Sequence, residues 1–292
     1  MLVISDAQKT LGRSMTVAEF TPIVFGAALL AGFLGSLTGL GGGVIITPVL
    51  TLFLHVDLRY AIGASLVSVI ATSSGAAAAY VREGFSNIRI GMFLEVATTL
   101  GALFGAYLGT HISTRALSIV FGVILLQAAW QTARKHREQS KPLPPDPIGE
   151  KLKLNSSYRT FAGEQHYVVH RVKTGFALMF GAGTISGLLG IGSGSLKVIA
   201  MDSAMQIPFK VSTATSNFMI GVTAAASASI YLSRGYVSPP IAMPVMLGVL
   251  SGSVAGTRYL SRLSVPLLRR VFAIVVGAIA IQMIVNGIRG AA

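Results

Sequence analysis

Two apolar stretches of this chain are each broken by a cluster of glycines, and the two breaks resemble one another. The first, Gly32 to Pro48, reads GFLGSLTGLGGGVIITP; the second, Gly183 to Val198, reads GTISGLLGIGSGSLKV. A continuous helix would not choose Gly39, Gly41, Gly42 and Gly43, because each interior glycine costs about 0.8–1 kcal/mol relative to alanine. Glycine does permit positive φ and a close approach of backbone to ligand. At membrane depth, broken backbone is tolerated only where protein buries it or where it lines a cavity. Each stretch is therefore predicted to separate two helical pieces.

Gly190, Gly192 and Gly194 repeat Gly39, Gly41 and Gly43 at an offset of 151 residues. The same offset, without a gap, pairs Ser65 with Ser216, Thr72 with Thr223, Tyr80 with Tyr231, Gly101 with Gly252 and Val120-Phe121 with Val271-Phe272. Glycine-interrupted segments at corresponding positions of two halves point to the binding site of a secondary transporter. The predicted fold class is an all-α, polytopic transmembrane bundle. It has a two-fold internal repeat, taken as inverted, with glycine-broken half-helices and about eight to ten membrane segments.

Composition supports a membrane chain. Of 292 residues, 52% are hydrophobic and 11% charged, against about 25% charged in ordinary soluble domains. The net charge of +13 is the expected result of Lys and Arg collecting on the cytoplasmic side. A nucleic-acid partner would need a clustered basic face on a soluble module, and none is evident. Without cysteine, thiol chemistry and disulfides are excluded.

Four segments organise the chain: an N-terminal tail (1–16), a first transmembrane repeat (17–131), a basic linker loop (132–171) and a second transmembrane repeat (172–292). From Thr132 to Lys173 there are nine Lys or Arg against four Asp or Glu, which places this loop in the cytoplasm. It is predicted to be a linker or a small surface element. Val44 to Leu54 is apolar in character but only eleven residues long, roughly 16 Å of helix, or half the hydrocarbon core. Ser195 to Met205 is its counterpart. If each half-helix is completed across the membrane by extended chain, each half crosses five times and the halves are inverted. If it re-enters, each half crosses four times and they are parallel. Arg258 and the basic run Arg262 to Arg270 tilt toward inversion.

The candidate substrate-binding residues are Gly39, Gly41, Gly42, Gly43, Ser65, Ser68, Thr72, Gly190, Gly192, Ser193, Gly194, Ser195, Lys197, Ser216, Asn217 and Thr223. A half-helix starting at Val44 or Ser195 presents unbonded N–H groups and the positive end of its dipole, a ready anion site. The competing view makes the glycines close-packing positions and the hydroxyls interhelical bonds of about 0.6 kcal/mol each. Lys197 is an intramembrane charge, hence a functional candidate, with snorkelling to an interface as the alternative. Glu95 has two readings, a proton-carrying group or, favoured, a side chain at headgroup level. GLGGG lacks the Lys-Ser/Thr of a phosphate-binding loop. No His/Asp/Glu cluster has metal-ligand spacing, and no Ser–His–Asp set has a plausible scaffold. No cofactor, metal or enzymatic activity is expected.

The pattern G-x-x-G-x-x-x-G-L-G-G-G-x-x-x-x-P (Gly32 to Pro48), the Ala64-Ser65 helix and Tyr80-x-x-x-Gly84 resemble the TauE/SafE family of membrane permeases, the sulfite exporter family. The second copy, from Gly183, is more degenerate: Ile199 stands opposite Pro48 and Ser193 opposite Gly42. The resemblance implies alternating-access transport of a small anion, sulfite or an organosulfonate such as sulfoacetate, across a bacterial-type inner membrane by a multi-pass chain. Export is the expected direction, with lipid and a coupling proton or ion as partners and the oligomeric state open. The alternative is a channel-like or cation-handling protein, since unwound carbonyls also bind cations.

Overall fold

The computed structural model describes residues 17–38, 42–82, 86–133, 146–160, 163–259 and 265–290. Helices dominate: α1 (Val17–Thr38), α2 (Gly43–Phe53), α3 (Leu58–Arg82), α4 (Ile88–His111), α5 (Thr114–Ala133), α6 (Pro147–Lys151), α7 (Val172–Leu189), α8 (Gly194–Ile199), α9 (Phe209–Ser233), α10 (Pro239–Tyr259) and α11 (Val265–Arg289). Among the described residues, Ile88–His111, Thr114–Gln131, Val172–Leu189 and Pro239–Gly256 are long and apolar enough to cross a membrane. The outer side of α4 shows what such a helix meets. Met92, Val96, Leu100, Phe104 and Tyr107, spaced three or four apart, are at least half exposed, an apolar stripe that suits lipid better than water. This is an all-α membrane protein.

The element starts keep the spacing of the glycine breaks. α2 and α8 begin at Gly43 and Gly194, α3 and α9 at Leu58 and Phe209, α4 and α10 at Ile88 and Pro239, α5 and α11 at Thr114 and Val265; each pair is 151 residues apart. Corresponding helices run antiparallel where they touch. Gly63 of α3 lies against Tyr236, beyond the end of α9, while Gly221 of α9 lies against Ser73. Gly122 of α5 faces Ala280 and Ile284, while Gly287 of α11 faces Arg115 and Ile119.

The closest packing joins helices from different halves. On α4, Gly101 and Gly105 lie against the carbonyl oxygens of Phe180 and Thr184 of α7; in return, Gly183 and Gly187 of α7 lie against those of Thr98 and Ala102. Gly32 of α1 and the Val249 carbonyl of α10 repeat the arrangement, as do Gly252 and the Leu29 carbonyl. A Cβ at any of these glycines would overlap backbone, so the seams exist because small residues let two backbones meet.

The glycine breaks fold differently from one another. α2 matches the expected half-helix to within a residue at each end. The expected helix from Ser195 to Met205 is instead a short α8 followed by a π-helical turn, Ala200–Ala204, the kind of irregularity that often marks functional sites. The basic linker is not without structure. It holds α6 and an antiparallel hairpin of β1 (Ser156–Thr160) and β2 (Gly163–Tyr167), with Ser156 opposite Tyr167. Asp146 fixes this unit to the bundle: its Oδ1 accepts from the Ile148 N–H and its Oδ2 from the Val172 N–H at the start of α7, both at 2.8 Å. The Val172 bond, with those from Ile148 and Gly149 and the nearby Lys173 charge, holds the carboxyl below its usual range against a smaller opposing effect of burial. Tyr167 packs into the bundle with Ile90, Leu94 and Met179. Its hydroxyl accepts from Asn87 Nδ2 at 2.8 Å, and burial raises its pKa.

Candidate functional site

The two breaks meet on one side chain. Ser65 Oγ, fully buried on α3, lies 2.8 Å from the Gly190 carbonyl and 3.2 Å from the Gly43 carbonyl. One hydroxyl proton is thus shared between the end of α7 and the start of α2, from opposite halves of the chain. The counterpart Ser216 donates to the Gly194 carbonyl at 3.1 Å, the equivalent of the Gly43 bond.

Local geometry explains the glycines of the second break. Gly190 ends α7 in the left-handed conformation, φ 66°, its N–H donating to the Ser186 carbonyl at 2.8 Å. Gly192 has φ 71° and Ser193 has φ 41°. Ser193, where the first half has Gly42, tolerates that backbone while its Oγ donates to the Ala182 carbonyl at 2.7 Å. In the first break Gly42 has ordinary helical angles, so glycine there serves space: its Cβ would run into Val249 of α10. A Cβ at Gly43 would lie 2.7 Å from Val69 Cγ2 and 2.8 Å from Ser65 Oγ, and one at Gly194 2.7 Å from Ile220 Cδ1. Gly39 and Gly41 lie outside the described residues.

The remaining hydroxyls divide. Ser68, Thr72 and Asn217 spend their donors on carbonyls of their own helices, at Ser65 O (2.7 Å), Ser68 O (3.0 Å) and Thr213 O (3.1 Å). Thr223 differs: it accepts from Lys197 Nζ at 2.5 Å and lies 2.8 Å from Glu95 Oε1 and 2.9 Å from the Met219 carbonyl. Lys197 is 0% exposed, so it does not snorkel. Glu95 is 7% exposed, so protein rather than solvent surrounds it. Its Oε1 also accepts from Thr99 at 3.0 Å, and its Oε2 has no hydrogen-bond partner among the described residues.

A cleft opens where the breaks converge. Val44 at the start of α2 lines it with Ile191, Ser193, Gly194, Ser195 and Leu196 of the second break, and α5 closes it with Ile124, Gln127, Ala128 and Gln131. Its empty space is about 390 Å³ including the open mouth. Sequence reasoning passed over Gln127 and Gln131. The signal was present: two amides spaced i, i+4 in an apolar helix, with Gln282 at the 151-residue offset from Gln131. Lys197 does not line the cleft. Among the described residues, no three His, Cys, Asp or Glu side chains come together as a metal site.

Comparison with known proteins gives a consistent picture. Residues 24–283 match the family described as Sulfite exporter TauE/SafE. The chain is 29% identical over 268 residues to "Probable membrane transporter protein YunE" of Bacillus subtilis (strain 168), covering 89% of this chain and 96% of that one. It is 29% identical to a "Probable membrane transporter protein" of Xylella fastidiosa (strain 9a5c), covering 90% and 94%. It is 24% identical to "Probable membrane transporter protein MJ0441" of Methanocaldococcus jannaschii, covering 90% and 95%. No solved structure matches the chain.

Proposed function

The chain belongs to the sulfite exporter TauE/SafE family and is a membrane transporter, and on that premise we propose that it moves a small sulfur oxyanion, sulfite or an organosulfonate, by alternating access. The observation that carries this reading is the cleft at the two breaks. It combines turned backbone, two amide side chains and the Ser195 hydroxyl, a set of neutral donors matched to a weakly basic oxyanion; the Ser193 hydroxyl also lines it, but its proton is engaged by the Ala182 carbonyl. Gly194 lines it; Gly42, Gly43, Gly190 and Gly192 shape the breaks on either side, Ser65 ties those breaks together, and Gln127 and Gln131 are the amides assigned to the anion.

The recurrence at 151 residues, with corresponding helices antiparallel, supports two inverted repeats lying at 17–131 and 172–292. That arrangement favours five-element halves over parallel ones. The linker from Thr132 to Lys173, with nine Lys or Arg against four Asp or Glu, faces the cytoplasm by the positive-inside rule, and the chain passes the bacterial inner membrane several times. The moving bodies are not the sequence halves. The α4/α7 and α1/α10 seams bind one half to the other backbone to backbone, so the substrate is exposed alternately by these seam pairs shifting about the breaks.

The test is saturable movement of labelled sulfite, sulfate and a small organosulfonate in proteoliposomes. Gln131→Ala is expected to raise KM for the transported anion without loss of folded protein. Saturable cation flux with no anion movement would replace this reading with the cation-handling one.

A further inference from the structure

We infer that Glu95, Thr223 and Lys197 form a proton site that couples transport, with Glu95 taking up and releasing the proton and Lys197 as its countercharge. This rests on the transporter reading but concerns a location apart from the anion cleft. Three observations carry it. First, Glu95 is buried with one oxygen doubly bonded by hydroxyls and the other, Oε2, bare. A carboxylate held permanently as a structural ion would be bonded at both oxygens; a bare buried oxygen is where a proton can sit.

Second, the Lys197 ammonium has three N–H groups and makes a single hydrogen bond among the described residues, to Thr223. Thr223 has one proton and two acceptors in reach, Glu95 Oε1 and the Met219 carbonyl. With Glu95 ionised the Thr223 proton points to the carboxylate. With Glu95 protonated it turns to Met219, and the Thr223 oxygen still accepts from Lys197. The hydroxyl thus reports the state of the carboxyl to the helix that carries Lys197. That helix, α8, begins at the cleft wall: Gly194, Ser195 and Leu196 line the cleft, and Lys197 is the next residue.

Third, the pair is one-sided. The residues 151 away from Lys197 and Glu95 are Ile46 and Met246, while Thr223 keeps a threonine partner, Thr72. Glu95 lies seven residues into α4 and Thr223 fourteen into α9, roughly 10 and 21 Å along their axes, well inside the bundle. Among the described residues, the other charges on the packed elements lie elsewhere: Arg59 of α3 is part-buried but donates to the Gly109 and Ile112 carbonyls at the far end of α4. α7 carries Lys173 and α9 carries Lys210, both exposed near their helix starts, and the Tyr231 hydroxyl is engaged by the Leu188 carbonyl. Asp202 is part-exposed on the π-turn. On α4 itself Arg89, Tyr107 and His111 are exposed.

The step is simple: a proton from one aqueous side binds Glu95 Oε2, and after the seam pairs shift it leaves to the other side. The experiment uses the full chain in proteoliposomes with a pH-sensitive dye inside and methanesulfonate as probe, since a sulfonic acid stays ionised and carries no proton of its own. Wild type should move protons with the sulfonate, and its affinity should change by at least about fivefold between acid and alkaline pH, the low end of typical two-site coupling. Glu95→Gln should keep sulfonate exchange, lose the accompanying protons, and show an affinity change under about twofold. Glu95→Gln/Lys197→Met removes both charges together and should behave the same, which covers a fold defect in the single variant.

Proton movement unchanged in Glu95→Gln would overturn the assignment, as would sulfonate movement by wild type with no protons. If wild type moves no sulfonate, it is the substrate reading that fails. The proton site is then decided by infrared difference spectra between acid and alkaline pH. A protonated-carboxyl band present in wild type and lost in Glu95→Gln supports it; spectra unchanged by the substitution refute it.

Discussion

Replacing Ser65 with alanine removes one hydroxyl from the point where the two breaks meet. The two carbonyls it serves are not equally dependent on it. The Gly43 oxygen also lies 3.3 Å from Thr47 Oγ1, which donates to it. The Gly190 oxygen belongs to a residue that has left the helix, and Ser65 is the donor that reaches it. The cost is therefore one buried carbonyl left unbonded, about 1–3 kcal/mol by general experience. Interhelical bonds in membranes average nearer 0.6 kcal/mol with a maximum of about 1.7, so 1–1.7 kcal/mol is the expected range. For a protein of this size that is a fall in Tm of roughly 2–3 °C. Ser216→Ala is the internal comparison, because its bond to Gly194 O stays within one half and that carbonyl opens a helix. It should cost under about 0.6 kcal/mol. Thermal unfolding of both variants in one detergent, with anion affinity measured beside it, makes the test. Equal losses for the two variants, or no loss for Ser65→Ala, would refute the idea that Ser65 ties one break to the other.

Gly101→Ala and Gly252→Ala put a methyl against the Phe180 and Leu29 carbonyls of their seam partners; each should destabilise by about 1–3 kcal/mol, while Gly181→Ala, with open space around it, should cost nothing measurable by the same melting assay. Asp146→Ala should cost about 0.5–2 kcal/mol through loss of the α6 cap and release the hairpin, seen as faster proteolysis between residues 146 and 167. Because the folded Asp146 carboxyl titrates below its usual value of 3.8, its contribution is full above that value and fades as pH falls through the lower folded value; hairpin protease resistance measured against pH should weaken only in that acid range. Gln127→Ala should act like Gln131→Ala, raising KM while leaving Tm unchanged, since neither amide is buried.

The helix layout was legible because lipid makes it so. An apolar run of the right length has one good conformation there, and the glycines that interrupt it stand out, so α2 was found to within a residue at each end. The hydroxyls on α3 and α9 were legible as a set but not in their roles: Ser68 and Ser65 differ by one turn, and only the structure distinguishes a bond within a helix from one across the chain. The burial of Glu95 was not legible because its depth along α4 says nothing about which side of the helix it occupies. Seven residues from the end of a lipid-facing helix it would reach the headgroups, but its side of α4 faces Thr223 and α9. The π-turn after α8 was invisible, since no residue type compels it. The hairpin was hidden by a polar composition that a mobile linker shares.

The glycine seams also bear on how the protein is made. α1 and α4 leave the ribosome with strips of bare backbone on one side, and the helices that fit them, α10 and α7, arrive only with the second half. A chain stopped in the linker has no partner for either strip and exposes glycine and carbonyl groups to lipid. Quality-control proteases should clear such a half when it is expressed alone. Supplied as two polypeptides cut within residues 134–145, the halves should rescue one another, each acting as the other's assembly chaperone.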